Sequence, residues 1–270
     1  MLFDTHCHLN EKVLNNRVDE VIESANNAGV THFLVVGWDK ESSLEAVRLA
    51  EKYNNVYAAV GFHPCNIDEL TDKEFYDTLN LCKKEKVVAI GEIGLDYHWV
   101  KDPIQQEKQK EYFIKQIEFA NENNMPIIIH NRDAFQDCLK ILKEHKPEHS
   151  GVMHCYSGSV EVLEDVFNLH LLIGLDGPVT FTSAKTPKAV AEEVPLDMLL
   201  LETDCPYLAP HPLRGTINEP KNLGLILDEI ARLKGISKKH IADATFKNSC
   251  RLFGIKYEEN NWWNNSGGRN

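Results

Sequence analysis

Six side chains with the chemistry of metal ligands stand at the ends of apolar runs: His6, His8, Glu92, His130, His154 and Asp204. In Asp4-Thr5-His6-Cys7-His8 the two imidazoles are spaced i, i+2, which puts both on one side of an extended chain, able to converge on one cation. Glu92 lies in Gly91-Glu92-Ile93-Gly94-Leu95-Asp96 behind a mainly apolar stretch, where a carboxylate is costly without a cation or a donor. His130 follows Pro126-Ile127-Ile128-Ile129 and His154 follows Gly151-Val152-Met153, two uses of one device. Leu199-Leu200-Leu201 runs into Glu202-Thr203-Asp204, where one carboxylate can ligate while the other, Glu202, orients a neighbour or a water. Taken singly, each pattern has a plain structural reading, since His often only hydrogen-bonds within a fold and a strand-end Glu is as readily a salt-bridge partner. Their shared placement points to a divalent metal site. The ligands outnumber what one tetrahedral ion takes, which favours two ions sharing a bridging Glu92. Imidazole and carboxylate together admit magnesium, manganese or zinc.

Side chains so far apart in the chain meet only if the elements carrying them end on one face. Short apolar, β-rich runs at 2–6, 32–36, 56–60, 87–91, 126–129, 151–154, 171–175 and 198–201 alternate with amphipathic stretches, among them helices over 105–122, 223–233 and 237–253. The expected fold is α/β, a single-domain (β/α)8 TIM barrel over residues 1–256, with its chemistry at the C-terminal ends of the strands. Ser237 is the expected N-cap of the last helix. The tail 257–270 is polar, rich in Asn and Gly, and expected to be flexible; Trp262 and Trp263 within it receive no functional role.

The 270 residues carry a formal net charge of -12, which argues against a broad basic surface for nucleic acid but not against a phosphate ester received by cations in a deep pocket. There is no charged-then-apolar leader and no apolar run near the roughly 20 residues that cross a bilayer, so a cytoplasmic protein without a membrane partner is expected. The seven cysteines, odd in number and without a CxxC, read as reduced thiols. Cys7, Cys155 and Cys205, beside candidate ligands, read as small packing residues.

The segments Phe3-Asp4-Thr5-His6-Cys7-His8-Leu9, Gly61-Phe62-His63-Pro64, Gly91-Glu92-Ile93-Gly94-Leu95-Asp96-Tyr97, His130-Asn131-Arg132-Asp133, His154-Cys155-Tyr156-Ser157-Gly158 and Glu202-Thr203-Asp204-Cys205-Pro206-Tyr207-Leu208 are distinctive in order and spacing. With them the chain resembles the TatD family of metal-dependent deoxyribonucleases, within the amidohydrolase-like barrels, from about residue 2 to 253. The resemblance implies that His6, His8 and Asp204 surround one metal, that His130 and His154 surround a second, and that Glu92 bridges them. It implies hydrolysis of ester bonds, typically trimming of single-stranded DNA or a related phosphate ester from a 3′ end. On physical grounds, two divalent cations would bind a phosphoryl oxygen and acidify a water in line with the leaving oxygen, with Asp204 the best candidate to accept its proton. His63, Arg132 and Arg214 are candidate phosphate contacts; otherwise His63 shapes the turn before Pro64 and Arg132 pairs with Asp133 or a helix neighbour. Tyr156, Ser157 and Tyr207 line the pocket or pack.

The chain departs from the family pattern where Thr216 and Ile217 precede Asn218-Glu219-Pro220, a stretch that often carries basic residues. Thr180-Phe181-Thr182 likewise stands for Thr-Phe-Lys, with Lys185 the nearest cation. Fewer cations near the mouth weaken the case for an extended single strand. Two other functions compete: an amidohydrolase or carboxylic-ester hydrolase, such as an aminoacyl-tRNA deacylase, and a non-enzymatic nucleic-acid or partner-binding scaffold. Many relatives in the wider class bridge their metals with a modified lysine on the fourth strand. Glu92 in that place favours a phosphoesterase, and the complete ligand set argues against a scaffold.

Overall fold

Runs of consecutive apolar residues are buried on both faces when they form a parallel sheet covered by helices, and the chain follows that rule. The computed structural model describes residues 1–257; the tail expected over 257–270 lies, after Tyr257, outside the described residues, as do Trp262 and Trp263. The strands are β1 (Leu2–Cys7), β2 (Val30–Val36), β3 (Val56–Val60), β4 (Val87–Asp96), β5 (Ile127–Arg132), β6 (Gly151–Met153), β7 (Leu171–Leu175) and β8 (Leu199–Leu201). They are hydrogen-bonded in chain order, and each neighbouring pair is parallel. Helices Val18–Asn27, Lys40–Lys52, Asp72–Leu79, Pro103–Glu122, Phe135–Glu144, Leu163–Phe167 and Lys185–Glu193 fill the successive crossovers, and Leu223–Lys234 and Lys238–Leu252 follow β8. This is the single-domain TIM barrel that the alternating pattern predicts. Among the described residues, no helix is long and apolar enough to cross a membrane.

The seam between β8 and β1 is made differently from the rest, because β8 is only 3 residues long. Beyond it the chain pairs Cys205 with Cys7, Asp204 N–H donates to the His6 carbonyl at 2.9 Å, and His8 N–H donates to the Cys205 carbonyl at 2.8 Å. The buried Asp4 carboxylate crosses the same seam and accepts from Thr203 N–H at 2.9 Å and from the Thr203 hydroxyl. Closure therefore runs through the segments that carry the candidate ligands.

Inside the barrel, Phe3, Leu34, Ala59, Ala89, Ile128, Val152, Leu172 and Leu200 form one cluster, closed at the strands' N-terminal ends by Phe246, Cys250 and Phe253 of the C-terminal segment. A second shell of apolar residues packs between strands and helices; each fully buried large side chain contributes roughly 1.5–3 kcal/mol. The last helix starts at Ser237, whose side chain caps His240 N–H, as its sequence predicts. Strand side chains alternate in face, so inward Ile128, Val152 and Leu200 place His130, His154 and Glu202 inward too. His6 and Glu92 break that alternation. Irregular registers between Asp4 and Cys7, and between Ile90 and Ile93, re-aim them; Asp204, two residues beyond Glu202, has a left-handed φ of 54°.

The largest boundary differences are in β4 and β5, which run to Asp96 and Arg132 rather than 91 and 129, because Gly94, Leu95 and Asp96 pair with His130, Asn131 and Arg132. Gly94 permits this. Its φ is 144°, and a Cβ there would lie 1.9 Å from the His130 carbonyl oxygen. Gly94→Ala is expected to destabilise the fold by at least about 1–3 kcal/mol. Gly224→Ala, where an added Cβ meets nothing within 4 Å, is expected to be neutral or stabilising by up to about 1 kcal/mol. Equal urea midpoints for the two variants would contradict the close approach of β4 to β5.

Candidate metal centre

The C-terminal halves of β1, β4 and β5, the end of β6 and the segment after β8 bring the six predicted ligands together, with the other five gathered about Glu92. His6 Nε2 lies 3.6 Å from Glu92 Oε2, 3.8 Å from Asp204 Oδ1 and 3.3 Å from His8 Nε2. His8 Nε2 is 3.3 Å from Asp204 Oδ1. Across the carboxylate, His130 Nδ1 is 2.7 Å and His154 Nε2 3.6 Å from Glu92 Oε1. The His6 and His154 rings stack with centroids 3.6 Å apart.

The outer nitrogens decide what the inner ones can do. His8 Nδ1–H donates to the Val36 carbonyl at 3.1 Å, and a carbonyl only accepts, so the proton of the neutral ring stays outside and Nε2 faces inward as a lone pair. His154 Nδ1–H donates to Glu202 Oε1 at 3.1 Å, and His130 Nε2–H donates to Asp96 Oδ2 at 3.0 Å. Outer acceptors of this kind orient histidines toward a metal. They also explain why His130 presents Nδ1 to Glu92 where His8 and His154 present Nε2.

Burial opposes ionisation of Glu92, yet hydrogen bonds from His130 and His6 hold its carboxyl well below the usual range. Burial opposes the His154 imidazolium too, and Glu202 with Glu92 and Asp204 overrides it, raising the group to about 10. Against the same burial, Asp204 raises His8, and Asp96 with Glu92 raises His130. His6 is pushed down by burial and by His154. Protons on imidazoles are thus the charge that balances the carboxylates when no cation is bound. A divalent cation fits the same donors: imidazole and carboxylate atoms lie within 4.8 Å of one another in the groups His6, His8, Glu92 and His6, His154, Glu202, and Glu92 and His130 are grouped likewise with His63, whose Nδ1 is engaged by Cys65 N–H.

The cluster forms the floor of a cavity of about 500 Å³ whose walls include Trp38, His63, Trp99, Arg132 and Tyr207. His63 Nδ1 accepts from Cys65 N–H at 3.1 Å, so it does shape the turn before Pro64, and it also lines the cavity. Arg132 makes no ion pair among the described residues; Asp133 pairs instead with His98 at 3.2 Å, and the guanidinium lies 5.6 Å from the Trp99 ring centroid. Arg214 sits over the Phe181 ring at 4.1 Å and is not among the cavity's lining residues. Tyr156 is buried and donates its hydroxyl to the Ser159 carbonyl, a packing role.

Residues 3–254 match the family of TatD-related DNases. The chain belongs to that family. It is 46% identical over 256 residues to YabD, an uncharacterized metal-dependent hydrolase of Bacillus subtilis (strain 168), covering 94% of this chain and 100% of the relative. With YcfH of Escherichia coli (strain K12), named in the same words, it shares 38% identity over 94% of this chain and 96% of the relative. The crystal structure of YjjV, a TatD homolog from Escherichia coli K12, superposes with a TM-score of 0.89 at 31% identity, covering 94% of this chain and 98% of the other. This TatD-related chain is accordingly a metal-dependent hydrolase, and its His, Glu and Asp clusters are the candidate metal-binding groups.

Two buried acids of the TatD site carry no role in the sequence reading. Asp96 holds His130, as above, and its Oδ1 accepts from His98 N–H at 2.9 Å and Trp99 N–H at 2.8 Å. Its signal was present: it keeps the face of Glu92 at i+4 along an extended run. Asp176 follows the apolar Leu171–Leu175 as His130 and His154 follow theirs, and burial, with Glu202 and Asp204 nearby, pushes its carboxyl well above the usual range. Asn218 supports the segment after β8 by donating to the Thr203 and Tyr207 carbonyls at 2.9 and 2.8 Å. Asp96→Asn and Glu202→Gln are each expected to weaken cation affinity by about 10–100-fold with the barrel intact. Competition against a chromogenic chelator, with circular dichroism as control, measures this, and unchanged affinity in both would deny the two acids an orienting role.

Proposed function

We propose that the chain hydrolyses phosphodiester bonds of single-stranded DNA, removing nucleotides from the 3′ end. In this reading His6, His8 and Asp204 hold one divalent cation, His130 and His154 hold a second, and Glu92 is shared. The supporting observation is the division of Glu92: Oε2 faces His6, and Oε1 faces His130 and His154. When bound, such cations supply Lewis-acid polarisation of a phosphoryl oxygen and a water acidified toward neutral pH.

The chain's own groups do the rest. Asp204 keeps Oδ1 toward His8 while its side chain remains 13% exposed on the cavity side, where it accepts the proton of the attacking water. Burial and the neighbouring His130 lower His63 to about 3, so its ring is neutral. Because Nδ1 accepts from Cys65 N–H, the His63 proton is on Nε2, free to donate to a phosphate oxygen. Arg132, on the cavity wall and without an ion-pair partner among the described residues, offers the fork that matches a phosphate in two hydrogen bonds. Arg214, over Phe181 and not among the residues lining the cavity, is assigned no contact to the reacting phosphate in this reading. A cavity of about 500 Å³ floored by the ligand cluster suits a chain end rather than a strand running through.

The test is a panel of 5′-labelled single-stranded DNA, RNA and an aminoacyl ester, assayed with magnesium, manganese and zinc. Stepwise 3′ shortening of DNA is expected, abolished by a chelator and reduced by roughly 10²–10³-fold in Glu92→Gln. Equal DNA cleavage by wild type and Glu92→Gln would sink the reading, and turnover of the aminoacyl ester alone would replace it with a deacylase.

A further inference from the structure

Trp99 is a large apolar side chain left 69% exposed, and it lines the cavity above the ligand cluster. A lone exposed aromatic needs no explanation; three further observations give this one a role. First, Asp96 accepts from Trp99 N–H and His98 N–H through Oδ1 while it accepts from His130 Nε2–H through Oδ2. One buried carboxylate thus ties the tryptophan's backbone to a candidate ligand, so the point from which the ring projects is set relative to the reacting atoms. Second, the Arg132 guanidinium, without an ion-pair partner among the described residues, lies 5.6 Å from the ring centroid, which sets a cation for phosphate next to a flat apolar plate. Third, Tyr207 lines the same cavity, 51% exposed, on the segment after β8. The β4 and β8 ends stand across the barrel from each other, so the two rings flank the cavity mouth.

We infer that Trp99 seats the terminal nucleobase of the substrate, with Tyr207 on the facing side and Arg132 taking the adjoining phosphate. The substrate class rests on the phosphodiesterase reading above. A stacked base must be unpaired, and every base has a flat face, so this seat selects single-stranded ends and is indifferent to their sequence. It also gives a chain of net charge -12 a hold on nucleic acid that needs no basic surface.

The experiment compares wild type, Trp99→Ala and Trp99→Phe as metal-loaded enzymes. Asp96 grips the Trp99 backbone and not its ring, so neither substitution removes those hydrogen bonds. Calorimetry with thymidine 5′-monophosphate and with deoxyribose 5-phosphate reads the base alone. Wild type is expected to favour the nucleotide by at least about fivefold, Trp99→Ala to lose that preference, and Trp99→Phe to keep part of it. The same preference should separate the KM values for oligonucleotides ending in thymidine or in an abasic residue. A preference undiminished in Trp99→Ala overturns the seat even where DNA is cleaved. A preference lost in Trp99→Ala supports the seat even where no DNA is cleaved, and then the phosphodiesterase reading alone falls.

Discussion

The Glu92 side chain is only 6% exposed, with imidazole nitrogens of His130, His6 and His154 at 2.7, 3.6 and 3.6 Å from its carboxylate. An unpaired carboxylate in such a place has an effective penalty of several kcal/mol, so its compensation governs what surrounds it. Its position needs β4 to run close beside β5, which Gly94 allows. Its partners need their inner nitrogens free, which Val36, Asp96 and Glu202 secure by holding the outer ones. Those supports are in turn buried, so the chain keeps six acids, Asp4, Glu92, Asp96, Asp176, Glu202 and Asp204, at one end of the barrel. Their mutual repulsion is tolerable only while protons or cations sit among them.

Much of this was legible because parallel strands are written as uninterrupted apolar runs. Ile127–Ile129 before His130, and Leu199–Leu201 before Glu202, announce both a strand and the residue that ends it, and alternation carries the inward face to the ligand. What alternation cannot convey is where it fails. His6 and Glu92 face the centre because the register slips at β1 and β4, and a slip is a relation between two strands that one strand's sequence does not contain. Asp96 escaped notice for a related reason: its partners are His130 from β5 and the backbone of its own following turn. Asp176 obeyed the visible rule and went unread. His63 shows a single residue meeting two readings at once, since one ring nitrogen serves the turn while the ring lines the cavity. Arg132 at a strand end and Arg214 in the stretch before Asn218-Glu219-Pro220 were both candidate phosphate contacts in sequence, and only the fold separates them, one on the cavity wall and one over Phe181.

If the substrate is the proposed polyanion, this strongly acidic chain meets long-range repulsion, and the site must offset it at short range. Screening limits that repulsion to about 8–10 Å at physiological salt. Inside that distance the local count matters: two cations in the proposed centre and Arg132 on the wall oppose the buried acids. Affinity for a phosphate ester is then linked to cation loading, because imidazole protons only balance the buried carboxylates while bound divalent cations add positive charge beyond that. Contacts that do not depend on charge, such as those offered by Trp99 and Tyr207, gain weight for the same reason.

The two ends of the barrel divide stability from chemistry. At the N-terminal end, Phe3 packs against Phe246 and Phe253, with ring centroids 6.3 Å apart in each pair, and the apolar interior is sealed. At the other end the same strands finish in buried acids and imidazoles that a stability-driven sequence would replace with apolar residues. The helix Lys238–Leu252 that closes the sealed end also donates from Asn248 Nδ2 to the Leu196 and Leu199 carbonyls, fixing the start of β8. Three residues after that strand begins, the chain reaches Glu202 and then Asp204. The placement of Glu202 and Asp204 at the reactive end is therefore anchored from the stable one, by a strand of 3 residues too short to absorb an error between them.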